Sequence, residues 1–312
     1  MNAGVSFSVI VTNYNYREFV AEAIDSVLAQ SRPVVQLIVV DDGSADGSPA
    51  WLAERYGADP RVTLRCGSNG GQLSAFIKGM DGVTGDVVCF LDADDHWNPD
   101  YLARIGALYD ARRDVDFVFS DVSLCGNEQG MHGFAPHAMD LGYTAISTWI
   151  TAHWYGAATS ALSMRRAWAR RALDVPIAFQ ETWRLSADNC LVFGPSVLGA
   201  RKYFLPTGAV HYRIHGNNGW WHARDTERQF ASGFRARCLI NHYASQMHMD
   251  TLTLDLVKRE FLSKPEPSRD ETMRYARIAM RGSAPWLKRV ERAIAIWRRG
   301  MRKPATRTVS GS

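Results

Sequence analysis

Short apolar runs alternate with helical patterns along the first 120 residues of this 312-residue chain. Residues 5–11 read as a strand, and the segment 18–30 sets Phe19, Val20, Ala23, Ile24, Val27 and Leu28 at the spacing of an amphipathic helix. The same alternation predicts strands at 37–40, 62–66, 87–91 and 116–120, and helices at 48–56, 72–80 and 101–109. Such alternation implies βαβ units and a mostly parallel sheet covered by helices on both faces. In sheets of this kind, ligands sit beyond the carboxyl ends of the strands. Residues 125–220 are less regular, with apolar pieces at 157–164, 192–198 and 209–214 and many glycines, histidines and aromatics. They suit either recognition of a polar, ring-shaped ligand or a mixed core. From about residue 225 the pattern turns helical, at 228–247, 252–262 and 270–281, and the end at Ser310-Gly311-Ser312 is expected to be disordered.

Two of the predicted strands end in acids. Leu37-Ile38-Val39-Val40 runs into Asp41-Asp42-Gly43-Ser44, and the run ending in Phe90-Leu91 leads into Asp92-Ala93-Asp94-Asp95. Carboxylates packed this closely repel one another unless a cation or hydrogen-bond donors neutralise them. A hard divalent cation, with oxygen ligands and positions left for phosphate, is one partner that fits. A turn in which an Asp caps the next helix is the other reading of a single pair. Two strands ending this way favour a metal and nucleotide site.

Composition narrows the class. At 46% hydrophobic the chain can build one large or two small cores. Lys+Arg 36 against Asp+Glu 32 is too balanced to argue for nucleic acid, although the last thirty or so residues are strongly basic. The five cysteines (Cys66, Cys89, Cys125, Cys190 and Cys238) are scattered, odd in number and without CxxC spacing. That pattern suits reduced thiols better than a disulfide framework or a zinc site. No signal-peptide pattern opens the sequence and no apolar run approaches the roughly 18 residues of a membrane span, so a cytoplasmic protein is expected.

Taken in order, Val9-Ile10-Val11-Thr12-Asn13-Tyr14-Asn15, Val39-Val40-Asp41-Asp42-Gly43-Ser44, Asn69-Gly70-Gly71, and Leu91-Asp92-Ala93-Asp94-Asp95 with Pro99 following resemble family-2 glycosyltransferases of the GT-A fold. The likeness is strong over residues 5–125 and weaker to about 220. It implies an α/β, Rossmann-like, mostly parallel sheet with flanking helices. Residues 1–225 would form the nucleotide-sugar glycosyltransferase domain, with a donor-binding half at 1–125 and an acceptor half at 126–225. A helical C-terminal region would occupy 226–312.

The resemblance also implies roles. Thr12 and Tyr14 would hold the nucleobase, Tyr14 by stacking, and Asp42 would accept from a base imide N–H, favouring uracil or thymine, while Asp41 is structural. Asp92 would face the ribose or the metal shell and Asp94 would ligate Mn²⁺ or Mg²⁺; Asp95 would support them or cap the helix after Pro99. Gly71, with its neighbour, allows close backbone approach at the N-terminus of a helix suited to anionic ligands. Many relatives carry an Arg and an Asn later in this segment, where this chain has Phe76 and Lys78. Lys78 is either a phosphate ligand or a solvated helix residue.

Transfer to a hydroxyl needs a general base. Within Glu181-Thr182-Trp183-Arg184-Leu185-Ser186-Ala187-Asp188-Asn189 the resemblance points to Asp188, with Glu181 second and a helix-capping Asp188 as the structural reading. In-line attack with Asp188 as base would invert the anomeric centre. His211-Tyr212-Arg213-Ile214-His215-Gly216-Asn217-Asn218 is similar to a loop that closes over the diphosphate, with Arg213 as phosphate clamp and His215 as metal or phosphate ligand. Trp220 and Trp221 would stack on an acceptor or belong to the core.

Residues 285–303 space Trp286, Leu287, Val290, Ala293, Ile294, Trp297 and Met301 at helical steps, with Lys288, Arg289, Arg292, Arg298, Arg299, Arg302 and Lys303 between them. The pattern fits an interfacial anchor on an anionic membrane or a terminal helix docked on the domain. The expected activity is therefore inverting transfer from a UDP- or dTDP-sugar to a saccharide or lipid-linked saccharide, in bacterial surface polysaccharide or glycolipid assembly. Two alternatives stand beside it. A nucleotidyltransferase would carry a Gly-rich basic loop after the first strand, where this chain has Thr12-Asn13-Tyr14-Asn15; a non-catalytic nucleotide-sugar binding module would have no use for Asp188.

Overall fold

The structure, a computed structural model, describes residues 4–216 and 226–301. Asn217, Asn218, Trp220, Trp221, Arg302, Lys303 and the Ser-Gly-Ser end lie outside the described residues. Strands β1 (Phe7–Asn13), β2 (Gln36–Asp41), β3 (Val62–Cys66) and β4 (Val87–Asp92) alternate with helices α1 (Val20–Leu28), α2 (Ser48–Tyr56) and α3 (Gln72–Met80). These strands pair in parallel in the order β3-β2-β1-β4. β1 starts two residues later than its apolar run and ends at Asn13, so Thr12 and Asn13 are strand residues, opposite Asp92 of β4 and Asp41 of β2 respectively.

The chain continues through β5 (His96–Trp97), α4 (Tyr101–Ala111), β6 (Phe117–Phe119), β7 (Val122–Gly126), β8 (Gly130–His132), β9 (Met139–Gly142) and α5 (Ala145–Thr151). It then forms β10 (Leu162–Arg165), α6 (Arg166–Leu173), α7 (Ile177–Thr182), α8 (Asp188–Leu198), β11 (Lys202–Phe204) and β12 (Val210–Ile214). Four helices follow, α9 (Thr226–Gln246), α10 (Val257–Leu262), α11 (Arg269–Ala279) and α12 (Trp286–Gly300).

Strand periodicity builds the layers. Val9, Val11, Leu37, Val39, Cys89 and Leu91 pack on one side with Ile24 of α1 and Leu102 of α4. Their neighbours Ile10, Ile38, Val40, Val88 and Phe90 pack on the other with Phe76 of α3, Ala169 of α6 and Leu191 of α8. The expected parallel sheet is mixed in two respects, because β9 pairs antiparallel with β11 at the edge and a second strand runs antiparallel within the sheet. β10 enters antiparallel between β4 and β6, completing an eight-stranded sheet in the order β3-β2-β1-β4-β10-β6-β11-β9.

The apolar piece at 192–198 is helical, part of α8, whose residues 190–198 are all buried. A helix covered on every side shows no amphipathic period in its sequence. A second sheet, β5-β12-β7-β8, holds β12 beneath the acidic loop that follows β4. Leu239, Ile240, Tyr243 and Ala244 of α9 join the core on the α8 side, while α5 and α10–α12 share a smaller cluster around Val257, Phe261 and Tyr275. Among the described residues no helix is long and apolar enough to cross a membrane.

Candidate active site

The carboxyl ends of β1, β2 and β4 bring the two acidic clusters together. Asp41 is structural, as expected: its carboxylate accepts from the Asn13 amide (2.7 Å) and from the backbone N–H of Ser44 (2.8 Å), tying two loops. Asp42 is buried and accepts from the backbone N–H groups of Gly70 (2.9 Å) and Gly71 (2.6 Å) and from Lys78 Nζ (3.3 Å). The anion at the glycine turn, expected to be a ligand, is thus this carboxylate of the protein itself. Lys78 lies on Asp42 and the Ser68 carbonyl. Gly71 has φ +85°, and the space a Cβ would need is filled by Arg184, whose carbonyl is 2.6 Å from that position. The close approach that requires glycine here is therefore made by Arg184. Tyr14 is 48% exposed on the loop after β1, with its ring open to a stacking partner.

Asp92 ends β4. It accepts from Thr12 Oγ1 (3.4 Å) and from Gln72 Nε2 (2.7 Å). Burial, then the Asp94 carboxylate, pushes its pKa up to about 7, and Asp188 adds to the rise. Asp94 meets His215, Nε2 to Oδ2 at 2.9 Å. Asp95 is fully enclosed: it accepts from Ser160 Oγ (2.5 Å) and from the backbone N–H of Arg213 (2.8 Å). It is a support, joining β12 and the segment before β10 to the acidic loop, and caps no helix. Burial first, then Asp94 and Asp92, raise its pKa well above the usual carboxylate range.

Arg213 donates from Nε to the Asp94 carbonyl (2.9 Å) and pairs with Glu22, its guanidinium 5.0 Å from the Phe19 ring. His215 stacks on Phe19 (5.5 Å between ring centres) with Tyr16 at its edge. Burial, then Asp94, pushes the Tyr16 phenol up to about 12.

Asp188 is the first residue of α8, and its Oδ1 accepts from the N–H of Asn189 (3.0 Å). The capping position itself is Ala187. Burial raises the Asp188 pKa to about 6, so the carboxylate is ionised at neutral pH yet basic enough to take a proton. Glu181 is exposed at the end of α7. Gln72 makes the junction that the sequence did not reveal: its Nε2 donates to Asp92 while its Oε1 accepts from the N–H of Ala187 (3.1 Å). One side chain therefore ties the β4 acids to the residue preceding Asp188. Arg184 reinforces the tie through Asn69 and through its carbonyl, which accepts from Leu73 N–H (3.3 Å).

The residues fit a divalent cation that shares its shell with a ligand. Among the described residues no group of three acids, histidines or cysteines is arranged to chelate an ion alone. Asp94 and His215 offer an oxygen and a nitrogen side by side, with Asp92 close enough to feel the Asp94 charge. Magnesium-type sites commonly combine one or two carboxylates with substrate phosphates.

Comparison with known proteins bears on the family and the fold. Residues 8–171 match the family model described as Glycosyl transferase family 2. A Nostoc protein described as an uncharacterized glycosyltransferase is 32% identical over 244 residues, 77% of this chain and 74% of its own length. The succinoglycan biosynthesis protein ExoO of Rhizobium meliloti is 31% identical over 216 residues, 66% of this chain and 60% of that protein. Among solved structures, S. aureus TarS 1-349 in complex with UDP-GlcNAc is similar in fold. Its TM-score is 0.56 at 14% identity, over 94% of this chain and 89% of that one.

Proposed function

The chain belongs to glycosyl transferase family 2, and from that premise we propose an inverting, metal-dependent transfer of a sugar from a UDP- or dTDP-sugar to a hydroxyl acceptor. The observation that carries the proposal is the convergence of Asp92, Asp94 and Asp188, with Gln72 joining the two sides. The donor half, 1–125, supplies the base and ribose contacts: Tyr14 stacks on the nucleobase, Asp42 accepts from its imide N–H, and Thr12 and Asp92 face the ribose. Gly71 and Lys78 hold Asp42 in place at the base side, and Arg213 neutralises phosphate charge. Asp94 and His215 would hold Mn²⁺ or Mg²⁺, which would offset charge on the leaving nucleoside diphosphate.

Asp188, in the acceptor half 126–225, takes the proton of the acceptor hydroxyl as its oxygen attacks the anomeric carbon. The bond to the diphosphate breaks on the opposite face, and the anomeric configuration inverts. ExoO's role in succinoglycan biosynthesis supports a saccharide or lipid-linked saccharide acceptor in bacterial surface polysaccharide assembly. The nucleotide sugar bound to TarS supports the donor class. The helical region from 226 onward, with peripheral attachment to the cytoplasmic face of an anionic membrane through 285–303, completes the reading.

A thermal-shift screen of nucleotide sugars with Mn²⁺ and with chelator tests it. A rise in melting temperature with a UDP- or dTDP-sugar, abolished by chelator, is expected. Stabilisation indifferent to chelator would remove the metal from the proposal. Pyrophosphate release from a nucleoside triphosphate and a sugar phosphate would replace it with nucleotidyl transfer.

A further inference from the structure

The apolar stripe of α12 is not the face by which that helix packs. Trp286, Leu287, Val290, Ile294, Trp297 and Met301 fall within an arc of about 100° on a helix of 3.6 residues per turn. Five of the six are exposed, Trp286 by 62%, Leu287 by 66%, Ile294 by 45%, Trp297 by 48% and Met301 by 41%. The buried residue is Ile296, about 130° round from the centre of that arc. It enters the cluster of Val257, Phe261 and Tyr275, and Gly300 lies so close to Thr272 of α11 that a Cβ there would sit 2.0 Å from its Oγ1. α12 thus docks by one face and presents a second, more apolar face outward.

The charge beside the exposed face is mainly positive. Arg289 donates to the Met280 carbonyl and Arg292 pairs with Asp255, so these two are held by the fold. Arg298 and Arg299 are exposed beside the stripe together with Glu291, the one acid of the helix, while Lys288, also exposed, lies about 150° round from the centre of the stripe. Beside the stripe, Leu287, Ile294 and Arg298 of α12 face Lys258 and Leu262 of α10 across an open groove of about 720 Å³. Exposed tryptophans at one level, aliphatic side chains between them and cations along the margin match a bilayer interface carrying anionic headgroups.

We propose that the α12 stripe, with the basic edge of α10, is a docking face for an anionic lipid surface. The inference deepens the attachment named above by assigning it to a particular face, and it stands apart from the donor chemistry. Each half of the binding has its own source. The apolar stripe enters the acyl boundary, and Lys258, Arg298 and Arg299 attract the headgroups, so binding weakens as salt rises.

The test is cosedimentation of the full chain with phosphatidylcholine vesicles and with vesicles of equal parts phosphatidylcholine and phosphatidylglycerol. Binding to the anionic vesicles, at least tenfold tighter than to the neutral ones and reduced by salt, is expected. The paired change Leu287→Glu and Ile294→Glu should lower it at least tenfold. Melting temperature and turnover on a soluble acceptor should stay the same, because both side chains point away from the packed face. Trp286→Ser with Trp297→Ser should also abolish quenching of tryptophan fluorescence by brominated lipid. Equal affinity for both vesicles, wild-type binding by the Glu variant, or a sedimentation shift showing that the stripe joins two copies of the chain would overturn the proposal. Donor-dependent stabilisation is read separately, so loss of one result leaves the other intact.

Discussion

Replacing Asp188 by Asn removes a charge while keeping the shape and the acceptor for the Asn189 N–H. Burial raises this carboxyl from 3.8 to about 6, a shift of about two pH units. At about 1.4 kcal/mol per unit that corresponds to about 3 kcal/mol of strain in the ionised folded protein. The side chain keeps some contact with solvent, which reduces the realised cost to about 1–3 kcal/mol. The sign follows from linkage. Folding raises this pKa, so the folded protein binds the proton more tightly than the unfolded chain, and the carboxyl costs stability as pH rises from 3.8 through about 6. Asp188→Asn should therefore melt higher than the wild type at neutral pH, by about 2–8 °C, and the difference should vanish below about pH 4. Turnover should fall by about 10²–10⁴ as the general base is lost, with donor binding nearly unchanged. In the wild type, kcat/KM should fall as pH drops through about 6. Scanning calorimetry against pH, together with single-turnover transfer, checks both sides. A variant that is inactive but also less stable at neutral pH would show that Asp188 holds the fold and not the proton, and one with wild-type turnover would move the base elsewhere.

Asp94→Ala should abolish transfer and also the Mn²⁺-dependent part of the thermal shift with donor; retention of that part would place the cation elsewhere. Gln72→Ala leaves the Ala187 N–H without its partner and Asp92 without a donor, so kcat/KM should fall by about tenfold to a hundredfold, corresponding to about 1–3 kcal/mol. Gln72→Glu should be worse, since it adds a carboxylate beside Asp92; steady-state kinetics that rank the two variants the other way would refute the bridging role. Gly71→Ala combines φ +85° with a Cβ only 2.6 Å from the Arg184 carbonyl, whereas Gly47→Ala, at φ +82°, meets open space. Urea denaturation should show the second costing about 1–2 kcal/mol and the first distinctly more.

The acidic strand ends were legible because their signals are local. An apolar run followed by acids names both a strand and what stands at its end, and β2 and β4 reproduce that reading in space. Asp95 was legible only in part, because its partners are Ser160 and the Arg213 backbone, far along the chain. Gln72 gave no signal, since a polar residue opening a helix looks the same whether it faces water or bridges two loops. The antiparallel β10 was hidden for a related reason: four apolar residues mark burial and carry no direction. In α12 the sequence pattern located the apolar stripe correctly, and packing chose a different face.

The enclosure of Asp95 and the contact of Asp94 with His215 set an order of events during synthesis. These contacts join residues 65, 118 and 121 positions apart. Loop closure over such lengths comes late in folding. A nascent chain that has emerged only as far as β5 has all three acids of the loop but neither Ser160 nor β12 to hold them. The crowded carboxylates then face water, where neighbouring charges repel weakly and protons or loose ions suffice. Only when residue 215 has left the ribosome can the acids be fixed in a partly dry site. The part of the enzyme that is written first in its sequence is completed last.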